Sequence, residues 1–150
     1  MAGRYFEGGL HIKSAAIVAG KLLPRAIVAL AITTATYALL FPHRSDYLGH
    51  YLAGFGGTAA LLSVAFLIPM TWRPTAIVAV SLFAIALGWG TEKTVFRLAI
   101  FDPVDFFNQS LGAVVAAGAR VGDEGGAATG GRAFGLGITV LTAGFYFAFA

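Results

Sequence analysis

The chain contains no cysteine, which excludes disulfides, zinc-thiolate centres and thiol chemistry and leaves the redox compartment unreadable. Charge is almost as scarce. Asp, Glu, Lys and Arg make up 11% of the 150 residues, against about a quarter in an ordinary soluble domain. A surface that poor in charge does not coat a globule in water. Histidine numbers only three, with no second imidazole at ligand spacing, so a metal signal is weak. No nucleophile elbow, phosphate loop or Cys-His pair is present, and no catalytic residue, metal site or cofactor is assigned.

Apolar residues are plentiful instead, at 58% of the chain with a mean hydropathy of +0.81, and the solvent they fit is lipid. Five apolar stretches run from Leu22 to Phe41, Tyr47 to Ile68, Thr75 to Thr94, Pro103 to Ala119 and Phe134 to Ala150. The last two are about 17 residues each, at the lower limit for crossing a bilayer, so the expectation is four to five spans. Backbone groups in hydrocarbon must be satisfied within their own segment, and the alternation of barrel strands is absent. The fold class expected is therefore all-α, a polytopic transmembrane helical bundle over residues 22–150.

Residues 1–28 imitate a signal peptide, because Arg4 precedes an apolar run and Ala29-Leu30-Ala31 resembles a cleavage site. Lys21 and Arg25 interrupt that run, and the expectation is an uncleaved interfacial segment leading into the first span. The glycine-rich stretch VGDEGGAATGGRA, residues 121–133, reads as a flexible linker. Seven Lys and Arg residues (Arg4, Lys13, Lys21, Arg25, Arg73, Arg120, Arg132) fall on one side of five spans and three (Arg44, Lys93, Arg97) on the other. That bias predicts a cytoplasmic N-terminus and an outside C-terminus. Basic residues facing anionic lipid account for the net charge of +3 without nucleic acid.

The stretch SDYLGHYLAGFGG, residues 45–57, sets Asp46 and His50 on one helical stripe at the mouth of the second apolar run. The third run closes at the same face with Glu92, Lys93 and Arg97, and the fourth opens there with Asp102, Asp105, Asn108 and Gln109. Asp46, His50, Glu92, Asp105, Asn108 and Gln109 thus form a candidate polar cluster, either binding or structural. Asp102 before Pro103 reads as an N-cap with proline at the first helical position, and Asp105 and Asp46 suit a positive helix end. Glu92 sits where a carboxylate opposes the negative helix end, and ionisable groups at membrane depth are costly enough to point to function. Gly49, Ala53 and Gly57 form a small-residue packing face, and Gly112 with Ala116 another.

Asp46-Tyr-Leu-Gly-His50 with a glycine-rich helix, then Glu92, then Asp105-Phe-Phe-Asn-Gln-Ser-Leu-Gly112, resembles the VanZ-like membrane proteins over about residues 46–118. Asp46, His50, Glu92, Asp105 and Gly112 match the family pattern. Tyr47 replaces a frequent lysine, Val95 a glutamine and Gln109 an asparagine, and Arg97 is the out-of-register substitute for an arginine before the next helix. The resemblance implies four or five membrane helices in the envelope of a bacterium, in its inner membrane, and an association with antibiotic resistance.

Two functions follow. One is a VanZ-like envelope protein that engages an amphiphile or precursor headgroup at the outer leaflet. The alternative is a non-catalytic accessory subunit of a larger membrane complex, pigment-binding or energy-converting, whose polar cluster locks helices. The partners expected are the lipid bilayer and other membrane subunits.

Overall fold

The computed structural model describes residues 22–94, 101–121 and 127–149, the side chains of 22–24, 92, 127 and 128 excepted. Five helices carry these residues: α1 (Leu22–Leu40), α2 (Ser45–Leu62), α3 (Arg73–Thr94), α4 (Pro103–Gly118) and α5 (Ala127–Phe149). Two 3₁₀ turns, Ser63–Leu67 and Met70–Trp72, join α2 to α3, and no strand occurs among the described residues. The expected interfacial segment, residues 1–21, lies outside them, as do Val95 and Arg97.

Local chemistry sets the boundaries. Asp102 caps α4 by accepting the Val104 N–H at 2.8 Å, and Pro103 takes the first helical position, where no donor is lost. The 3₁₀ extension of α2 ends at Ile68, which is extended (φ −93°, ψ 142°) because Pro69 crowds the helical conformation of the residue before it. α2 itself starts without a side-chain cap, since Asp46 turns to Arg44 instead.

Three segments are long and apolar enough to cross a membrane: Ser45–Leu67, Met70–Thr91 and Thr129–Phe149. The apolar part of α1, Arg25–Leu40, is shorter, and α4 has 16 residues. Three of the four to five expected spans therefore meet the requirement of length and composition.

α2 is the axis of the bundle. Its neighbour α5 runs antiparallel, with Gly49 against Ala148, Gly144 against Ala53, and Gly137 against Ala60. α4 runs parallel on another side, with Gly54 against the Gln109 backbone and Gly112 against Tyr51 and Phe55. A Cβ at Gly49, Gly54, Gly112, Gly137 or Gly144 would run into facing backbone, so the missing side chains are what lets these helices close. The result is a core of Tyr51, Phe55, Thr58 and Leu62, all fully buried.

α5 begins at Ala127, seven residues before the expected start at Phe134, so the linker reading of 121–133 is corrected from Ala127 onward. Packing explains the difference. Gly130, a residue type that disfavours an isolated helix, sits against Ser63 and Phe66 where a close helix pair needs it, and Ala133 is buried completely.

Candidate functional site

α2, α3 and α5 line an open-sided cavity of about 580 Å³, completed by Gln109 from α4. The α5 wall is apolar, formed by Phe134, Ile138, Leu141, Phe145 and Phe149. Its polar groups are His50, Thr58, Thr91 and Gln109. Three of these sit at one end of the bundle, where α2 and α4 start and α3 finishes; Thr58 lies two turns deeper. Along α2 the lining runs from His50 to Leu61, roughly 17 Å of helix at 1.5 Å per residue, and continues to Val64 in the 3₁₀ turn.

The parallel register of α2 and α4 builds the polar end. His50 lies one turn before Gly54, and Asp105 one turn before Gln109, so the Gly54–Gln109 approach sets them opposite each other. His50 Nε2 and Asp105 Oδ2 are 3.3 Å apart, both four-fifths buried. The other Asp105 oxygen, Oδ1, has no hydrogen-bond partner among the described residues, nor has Asn108 Nδ2 one turn on. Gln109 projects between α4 and α3, where its amide fills the space left by Gly88.

A second polar layer joins α1 to this end. Tyr37 donates its hydroxyl to Asn108 Oδ1 at 2.6 Å. Thr33 gives its single proton to the Ala29 carbonyl at 2.7 Å, so the Tyr51 hydroxyl donates to Thr33 Oγ1 across 2.6 Å. The Tyr37 and Tyr51 rings stand 5.1 Å apart between the two bonds. Residue reading missed Thr33 and Tyr37; their four-residue spacing, on one helix face, was the available signal.

The candidate residues thus separate. His50 and Asp105 meet, Gln109 joins His50 at the cavity, and Asn108 faces α1. Asp46 turns away, held by Arg44 through Nε at 3.0 Å and Nη2 at 2.8 Å, with that guanidinium stacked 3.8 Å above the Tyr47 ring. The hydrogen-bonded Asp46 carboxylate raises the Arg44 pKa above its ordinary range. Glu92 belongs to the last turn of α3, and its side chain lies outside the described set. Among the packing candidates, Gly49 and Ala53 face α5 and Gly112 faces α2, whereas a Cβ at Gly57 would meet only Leu141 Cδ1 at 3.8 Å, beside the cavity. No group of three or more His, Asp or Glu residues among those described is arranged to hold a metal ion.

No protein-family model matches the chain, and no curated protein or solved structure does either.

Proposed function

We propose that this chain is a small integral membrane protein that takes one amphiphile from the leaflet into the groove between α2, α3 and α5. The observation that carries the reading is the division of the 580 Å³ cavity into a long apolar wall and a polar end. Apolar lining shelters an acyl or isoprenoid tail, while His50, Thr91 and Gln109 offer hydrogen bonds to its headgroup. The VanZ-like resemblance of residues 46–118 belongs to the same proposal. So does a bacterial inner-membrane setting with α1 and α4 as further spans, the N-terminus in the cytoplasm and the polar end at the outer leaflet.

The test uses Gly57, whose Cβ position is open toward the cavity. Gly57→Leu adds a side chain on the groove side of α2, at a position where the Cβ meets no backbone. Wild-type protein released gently from its membrane should carry an amphiphile identifiable by mass spectrometry, and Gly57→Leu should fold yet carry little of it. Equal amounts on both proteins would refute the groove as its site.

A specific observation also supports the alternative, an accessory subunit. Only 6% of the Met70–Thr91 span is buried, compared with 67% for Ser45–Leu67. Val78, Leu82 and Phe83 on α3 are more than half exposed, an apolar face suited to lipid or to another subunit's helix. Migration of the mildly extracted protein alone, without a second chain, would rule this reading out.

A further inference from the structure

The two hydroxyls that line the groove are bonded differently. Thr91, at the polar end, donates to the Gly88 carbonyl at 2.9 Å, so its proton is held by its own helix. That is the ordinary state of a helical hydroxyl: Thr33, Thr36, Ser81, Thr94, Thr139 and Thr142 each donate to the carbonyl one turn back, at 2.6 to 2.9 Å. Thr58 departs from it. It lines the cavity and is only 1% exposed, yet its Oγ1 has no hydrogen-bond partner among the described residues, the Gly54 carbonyl one turn back included. The groove wall around it offers no polar side chain, being made of Ala60, Leu61, Ala84, Ile138 and Leu141.

A buried hydroxyl without a partner bears the whole cost of losing water, and an oxygen atom of a bound molecule relieves that cost by completing the hydrogen bond. Depth says where on the molecule that oxygen sits. Thr58 comes eight residues after His50, roughly 12 Å along α2 at 1.5 Å per residue, so a headgroup held by His50 and Gln109 leaves Thr58 beside the tail. We propose that the groove selects an amphiphile whose tail carries an oxygen in mid-chain, a keto or hydroxyl oxygen paired with the Thr58 hydroxyl. The inference rests on the groove being the amphiphile's site and names the class of amphiphile it prefers.

The test offers octadecanoate, a mid-chain keto-octadecanoate and mono-octadecanoylglycerol in equal amounts to the full chain in detergent and reads the bound molecule by native mass spectrometry. Wild type should retain the keto acid about tenfold over the plain acid, the scale of one hydrogen bond to a buried group otherwise unpaired. Thr58→Val exchanges the hydroxyl for a methyl group and should bring the two acids level while octadecanoate still binds. Thr58→Ser keeps a hydroxyl and should keep the preference. If Thr58→Val does not fold, Thr58→Ala carries the same expectation. Equal retention of the two acids by wild type overturns the inference. So does a preference untouched by Thr58→Val, which would mean that the hydroxyl is satisfied by water or by its own helix. A Thr58-dependent preference for mono-octadecanoylglycerol over the keto acid would move the oxygen to the ester junction beside the headgroup, and overturns it too. Gly57→Leu should lower binding of both acids alike, which keeps the two readings apart: wild type that binds neither acid ends the groove and this inference together, whereas equal binding of both ends the inference alone.

Discussion

His50 Nε2 stands 3.3 Å from Asp105 Oδ2 across the interface of two parallel helices, both partners largely withdrawn from solvent. Neither residue is adjacent to a cap of its own helix that would explain the pair, since Asp102 caps α4 and Asp46 is taken by Arg44. The contact therefore reports the α2–α4 register directly. A double-mutant cycle with His50→Gln and Asp105→Asn should give a coupling energy of about 0.5–3 kcal/mol in thermal or denaturant unfolding in detergent. Strict additivity would mean that the two side chains are energetically independent.

Glycine positions should separate sharply by what faces them. Gly54→Ala drives a methyl group into the Gln109 backbone and should destabilise by roughly 1–3 kcal/mol or more, read as a lower midpoint of thermal unfolding. Gly57→Ala meets only the end of Leu141 and should be neutral or stabilising by up to about 1 kcal/mol, because alanine restricts the unfolded backbone. Equal midpoints for the two variants would contradict the close α2–α4 approach.

Tyr37→Phe removes the donor to Asn108 Oδ1 and leaves that buried amide wholly unpaired among the described residues. The expected loss is about 1–3 kcal/mol. Adding Asn108→Leu should recover part of it, since neither position then buries a polar group whose partner has been removed. An unfolding series on the two single variants and the pair checks this; a double variant worse than the sum of the singles would contradict it.

Topology is testable because the chain has no native cysteine. Single cysteines at Arg44 and Gly126 should react oppositely with a membrane-impermeant thiol reagent applied from outside, the first labelled and the second spared. The reverse pattern would invert the orientation while leaving the helix contacts as they are.

Helix positions were legible because apolar runs bounded by Pro42, Pro69 and Pro103 write themselves into composition, and Asp102-Pro103 announces its own cap. That α2 and α4 start at one end of the bundle was legible as well, since short connections put alternate helix ends together. What could not be read was rotation about each helix axis. Gly54, Gly56 and Gly57 sit within four positions of one another, yet they face α4, α5 and the cavity respectively. A stripe drawn at four-residue spacing cannot choose among those faces when the helix is apolar all round. The same limit hid Asp46's turn toward Arg44, a contact across two residues that no helical periodicity contains. The start of α5 was hidden for a related reason, because glycine that marks a loop in water marks a contact in a packed membrane pair.

The pairing of α2 with α5 also bears on how the protein is made. Gly49 and Ala53 find Ala148 and Gly144 across the whole of α3 and α4, so this close interface can form only after those helices have been made. Until α5 leaves the ribosome, α2 has one of its principal faces uncovered, with α1, α3 and α4 already made. A nascent chain stopped before Ala127 would thus expose the backbone-smooth glycine face of α2 to whatever quality-control factor or stray helix reaches it first. The 23 residues of α5 act as a lock, joining the earlier helices into one bundle only once they have been made.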